Sequence, residues 1–169
     1  DAGDWDVALI ADADTIPVRE ATHAAVKHVQ RTKGGARPHD HLWRLTPRGS
    51  RIIAGQGPKV FNRWRHASGL FRGGGLLVVH RVGWDTVGGF DESYIGWGYE
   101  DSAFNVALLT QVDWDRLPGV ALHLWHQPAS QTTPECRENK ARYRKLYAEF
   151  GTEIARAHEE KSWGGEKIL

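Results

Sequence analysis

At 169 residues the chain is long enough for one domain with a substantial core and too short for two comfortable ones. Charge is nearly balanced, with 22 basic and 21 acidic residues, and no apolar run reaches membrane-spanning length, which excludes a transmembrane helix. The single cysteine, Cys136, excludes an internal disulfide and fits a reducing, cytoplasmic setting.

There is no signal-peptide pattern at the start. Methionine is absent and the first residue is Asp1, so the sequence is expected to begin downstream of its own initiator. Trp5 to Ala11 is an apolar run without helical spacing and predicts a buried strand. It ends in Asp12-Ala13-Asp14. Thr15 as a cap and Pro17 in the first turn predict a helix to Arg31, with Val18, Ala21, Ala25 and Val29 on one face.

Lys33-Gly34-Gly35 ends that helix. Beyond it, Leu42–Leu45 and Arg51–Ala54 read as short strands around a Pro47-Arg48-Gly49 turn, and Gly55 to Gly69 as loop. Between Arg31 and Arg72 the basic side chains, Arg44 among them, are opposed by one acid, Asp40. With Trp43, Phe61 and Trp64 interleaved, such a stretch attracts phosphate-bearing molecules and leaves a nucleic-acid or polyanion acceptor open.

Gly73-Gly74-Gly75 opens the strand Leu76–His80, and a helix follows over Arg81–Val87, stopped by Gly88-Gly89. The next helix is expected from Asp101 to Leu109, then strands at Gln111–Asp115 and Val120–Leu124. Thr133 caps a helix that begins at Pro134 and runs to about Glu159, with Tyr143, Leu146, Tyr147, Phe150 and Ile154 as its apolar stripe. Residues 161–169 read as a frayed tail. Strands alternating with helices predict an α/β layered protein, residues 1–133 forming its main body and 134–169 a helix and tail packed on it.

Three stretches carry chemistry. Asp12 and Asp14 stand at a strand end, where α/β folds place ligands, and two carboxylates one residue apart can hold a hard cation or its water. The bland alternative is that Asp14 or Thr15 merely caps the following helix. Leu122–Trp125 finishes in His126 before Pro128, and a carboxylate with an imidazole suits Mn²⁺ better than Mg²⁺. His123 is a ligand only if the chain twists there. The third stretch is Gly96-Trp97-Gly98-Tyr99-Glu100-Asp101. Its glycines permit a sharp bend close to a ligand, and its acids fall where a helix N-terminus favours their ionised form. A carboxylate held so beside an aromatic platform suits general-base work on a sugar hydroxyl, although an N-capping aspartate after a glycine turn would look the same.

The order Asp-x-Asp, Gly-Gly-Gly-strand, Gly-Gly-Phe-Asp-Glu, Trp-Gly-Tyr-Glu-Asp and His-Gln-Pro resembles the metal-dependent nucleotide-sugar glycosyltransferases of GT-A fold, in particular glycosyltransferase family 2 and the galactosyltransferase C-terminal type. The resemblance implies a partial GT-A, Rossmann-like mixed sheet flanked by helices, and a nucleotide-diphosphate sugar donor with a sugar or other hydroxyl acceptor. It implies Asp14 and His126 as ligands of Mn²⁺ (or Mg²⁺), Asp12 on the ribose or the metal's water, and His123 as a ligand worth testing. Asp101 would be the base of an inverting reaction, with Glu100 holding the donor sugar or acceptor hydroxyl. Trp97 and Tyr99 would stack on a sugar ring, and the backbone of Gly74 and Gly75 would line the donor.

Ser102 stands where the galactosyltransferase motif has a further acid, which leaves the acceptor undetermined. In the family a nucleotide-binding half precedes the Asp-x-Asp, so the chain is expected to lack that N-terminal half. A sugar-nucleotide nucleotidyltransferase and a non-catalytic carbohydrate- or polyanion-binding remnant are the rival readings.

Overall fold

The computed structural model describes residues 3–56, 68–70 and 75–160. The elements run β1 (Val7–Ala11), β2 (Thr15–Pro17), α1 (Arg19–Thr32), β3 (Gly35–Arg37), β4 (His41–Arg44), α2 (Pro47–Gln56) and β5 (Ser68–Leu70). They continue with β6 (Leu76–His80), α3 (Arg81–Val87), α4 (Glu100–Gln111), β7 (Trp114–Arg116), β8 (Val120–His123) and α5 (Pro134–Glu160). The strands form two mixed four-stranded sheets, in the orders β1-β6-β3-β7 and β2-β8-β4-β5. The α/β class read from the sequence is the class observed.

The first sheet is a middle layer. All five residues of β6 are buried, because both of its faces are covered. Val78 meets Ala25 and Val29 of α1 on one side, while Leu77 and Val79 meet Phe104 and Leu108 of α4 on the other. Phe90 stacks on Phe104 at 4.3 Å between ring centres, closing that second side with Trp84. In the second sheet, Leu122 of β8 packs with Leu45 and with Ile53 of α2. Leu76, Leu42 and Ala121 join the two sheets.

Several expectations are corrected. β1 is an edge strand, paired among the described residues with β6 alone, and Leu9 is 44 % exposed rather than buried. Thr15 and Pro17 do not start α1; they form β2 against β8, and the helix is entered through Val18 without a side-chain cap. Arg51–Ala54 is helix, not strand. Thr46 caps α2 by accepting the Gly49 N–H at 3.1 Å, with Pro47 at the first helical position, so the expected turn is the helix's opening. The same Thr-Pro device opens α5, where Thr133 accepts the Cys136 N–H at 3.2 Å. The strand expected at Gln111–Asp115 is displaced to Trp114–Arg116, because α4 continues to Gln111. β3 and β5 were not foreseen. Phe61, Trp64, Gly74 and the expected tail lie outside the described residues.

Two backbone junctions fix the layers. A Cβ on Gly34 would fall 1.8 Å from the Asp113 carbonyl oxygen, and one on Gly83 of α3 would fall 2.9 Å from that of Gly34. Side chains cannot be inserted where three backbones meet. Gly34→Ala is expected to cost about 3 kcal/mol in a denaturant titration; an unchanged midpoint would show that the junction yields.

The second junction is Asp40, which accepts the Gly119 N–H at 2.9 Å and faces His41 Nδ1 at 2.8 Å, holding the start of β8 beside β4. Burial alone would raise its carboxyl pKa, but the Gly119 N–H and His41 outweigh that and hold it below the usual aspartate range. Folding therefore gains stability from this group above the ordinary aspartate pKa and loses it as pH falls through the depressed value. Asp40→Asn is expected to lower the melting temperature near neutrality, by under about 1 kcal/mol in stability terms. The gap should close in acid. An equal gap at both pH values would contradict the assignment.

Candidate active site and metal centre

At the end of β1 the chain turns back on itself through Asp12 and Asp14. The Thr15 N–H donates to the Asp12 carbonyl at 2.9 Å, and the Asp12 N–H donates to the Gly75 carbonyl at 2.9 Å, tying the turn to the start of β6. Asp14 is therefore not a helix cap, as Val18 occupies that position. Its backbone carbonyl instead accepts the Leu124 N–H at 2.7 Å, and Thr15 pairs with His123 in the β2–β8 ladder. Ladder pairing brings Asp14 beside the end of β8.

There β8 stops, and the departure from strand geometry lets two histidines three residues apart turn the same way. His126 Nε2 lies 3.0 Å from Asp14 Oδ2 and His123 Nε2 lies 3.8 Å from Asp14 Oδ1, with the two imidazoles 5.2 Å apart between centres. One ligand atom from each of the three residues fits within 4.8 Å of the others. His126 Nδ1 lies 2.8 Å from the Gln127 carbonyl, which can only accept, so Nδ1 donates there and Nε2 is the nitrogen turned toward Asp14. A carboxylate oxygen and two imidazole nitrogens so disposed fit a divalent transition-metal ion.

Asp12, Asp14 and Asp101 share one electrostatic field. Burial pushes the Asp12 carboxyl above its usual range, Asp14 and Asp101 push it further, and His123 pulls it back. The Glu100 carboxyl is also raised, first by burial, with Asp101 and Asp12 adding to it. Its Oε2 is buried with no hydrogen-bond partner among the described residues. Such an excess of close carboxylates favours a bound cation.

The Gly-Trp-Gly turn places these acids. Gly96 and Gly98 have φ of +75° and +106°, which side-chain-bearing residues rarely adopt. A Cβ on Gly96 would lie 3.3 Å from Glu135, so the turn rests directly on the first turn of α5. Asn139 of α5 donates to the Ile95 carbonyl at 3.0 Å. Tyr99, not Asp101, is the N-cap of α4, in a left-handed conformation (φ +74°) and without a side-chain cap. Backbone strain of this kind persists where the surroundings hold it. Glu100 and Asp101 follow as the first helical residues, and Asp101 Oδ1 accepts the Ser102 N–H at 2.6 Å.

One cleft of about 640 Å³ takes in Asp12, Asp14, Glu100, Asp101, His123 and His126. Gly75, Trp97 and Tyr99 also line it. Trp97 is 48 % exposed and open to a ligand, whereas the Tyr99 ring packs 5.5 Å from that of Tyr143. Gly74, expected beside Gly75, lies outside the described residues.

Sequence reasoning missed four residues here. Trp125, 54 % exposed, faces the cleft and is anchored by its backbone N–H donating to Ser50 Oγ at 2.7 Å. Arg44 had been grouped with the basic stretch and proves to line this cleft. Arg137 and Lys140 of α5 also line it, and the i, i+3 spacing that sets them on one helix face was the available signal. Beneath the site Arg37 is buried; burial and Arg116 lower its pKa to about 10, while Asp101 pulls it back up.

A family model described as the N-terminal domain of galactosyltransferase matches residues 60–124. The matched stretch includes the Gly96–Asp101 turn and His123, and leaves out Asp12, Asp14 and His126. It supports a glycosyltransferase-type domain. No curated protein matches the chain.

Proposed function

We propose that the chain is the metal and acceptor portion of a GT-A glycosyltransferase, of the family 2 and galactosyltransferase type, transferring a sugar from a nucleotide-diphosphate donor to an acceptor hydroxyl with inversion. The observation that carries this reading is the convergence of Asp14, His123 and His126 in the cleft that also holds Asp101 and Trp97.

Asp14, His123 and His126 would hold Mn²⁺ or Mg²⁺, with Asp12 beside them on the ribose or on a metal-bound water. An ion held there would supply positive charge to offset that growing on the departing diphosphate. Asp101 accepts the proton of the attacking hydroxyl. Glu100, which lines the same cleft, holds a sugar hydroxyl. Trp97 covers one sugar face and fixes its orientation, with Tyr99 as a smaller platform. The Gly75 backbone borders the donor, and residues 134–160 close the acceptor side.

Titration of the full-length enzyme with a panel of nucleotide-diphosphate sugars, in Mn²⁺ and then in excess chelator, tests the reading. At least one donor should bind with the ion and be released without it. Equal binding in chelator, or none in either condition, would overturn it.

A further inference from the structure

Among the described residues, Arg44 is the one Lys or Arg of the cleft fixed by the sheet rather than carried on α5. In the β4–β8 ladder Arg44 pairs with His123, and the Leu45 N–H donates to the His123 carbonyl at 2.8 Å. Residues paired across a ladder project from the same face. Thr15, next to Asp14, pairs with His123 from the other side. His123 on β8 therefore stands between Arg44 on β4 and the start of β2, where Asp14 Oδ1 lies 3.8 Å from His123 Nε2. Arg44 is exposed, lines the cleft and makes no ion pair among the described residues.

A guanidinium beside a cation-binding cluster is repelled by the ion unless an anion of higher charge lies between them. The donor's diphosphate carries two negative charges and gains a further one as the sugar departs, more than one divalent ion neutralises, and its oxygens suit the guanidinium fork. In an inverting displacement, the hydroxyl oxygen bonds to the anomeric carbon as the carbon–oxygen bond to the diphosphate breaks. The proton passes to Asp101, and the electron pair of the broken bond leaves with the diphosphate oxygen. Nucleophile and leaving group lie on opposite sides of that carbon. Asp101 and Arg44 both line the cleft that would hold that carbon.

We propose that Arg44 is the second cation of the diphosphate site, binding the phosphate oxygens beside the metal ligands and stabilising them as the sugar departs. The proposal rests on the glycosyltransferase reading and adds a residue to it.

The test uses Mn²⁺ alone and then inorganic pyrophosphate at saturating Mn²⁺, with the wild-type chain, Arg44→Ala, Arg44→Lys and Arg51→Ala. Arg51 is an equally exposed arginine one turn along α2 and outside the cleft. All four proteins should bind Mn²⁺ equally. Pyrophosphate should bind wild type and Arg51→Ala alike, Arg44→Ala at least about tenfold more weakly, and Arg44→Lys in between.

Equal pyrophosphate affinity in wild type and Arg44→Ala would overturn the proposal while the metal site stood. Equal weakening in Arg51→Ala would also overturn it, as general charge attraction would then suffice. Loss of Mn²⁺ affinity in Arg44→Ala would reduce Arg44 to a shaping role. Failure of the wild type to bind Mn²⁺ at all would remove the glycosyltransferase reading, and the proposal with it.

Discussion

Asp101→Asn is expected to slow sugar transfer in the full-length enzyme by about 10²–10⁴-fold, the range that a positioned general base supplies. The substitution is close to isosteric, and an asparagine oxygen can still accept the Ser102 N–H that Asp101 Oδ1 holds at 2.6 Å. The helix start should therefore keep its shape, and donor and Mn²⁺ binding should stay near wild type. What is lost is the ability to take a proton. Single-turnover transfer measured beside donor titration separates the two. A variant that transferred at the normal rate would move the role elsewhere, with Glu100, which lines the same cleft, the first to test.

The second large effect belongs to the metal ligands. Asp14→Ala, His126→Ala and His123→Ala should each lower Mn²⁺ affinity by more than the roughly 10–100-fold that losing an outer-shell partner costs. Mn²⁺ should raise the melting temperature of the wild type and not of these variants, since a ligand stabilises only the state that binds it. Asp14 bridges the two imidazoles, at 3.0 Å from one and 3.8 Å from the other, so its loss should be the most severe. Unchanged calorimetric titration of all three would refute the site. An unchanged His123→Ala alone would leave a two-residue site.

How far the sequence revealed this follows from what each residue needs. Asp14, His126 and Trp97 were legible as residues of the cleft because strand ends and glycine turns mark where side chains face an opening. His123 was ambiguous because strand parity sets it apart from His126 until β8 ends and the parity lapses. Arg44 was invisible as a cleft residue, because only the parallel pairing of β4 with β8 puts it beside His123. Thr46-Pro47 carries the same helix-opening signal as Thr133-Pro134, but the glycine that follows it, Gly49, also reads as a turn. The apolar run of β1 matched a buried strand well, yet composition does not say which neighbours a strand has. Its edge position came only from the pairing.

The central claim is that one ion is held by three side chains that the sequence keeps far apart. A crystal of the chain soaked in Mn²⁺, with diffraction recorded at the manganese absorption edge, tests it directly. One anomalous peak in contact with Asp14, His123 and His126, on the cleft wall facing Asp101, is the predicted result. A peak bound by other residues, or none at saturating Mn²⁺, would contradict it.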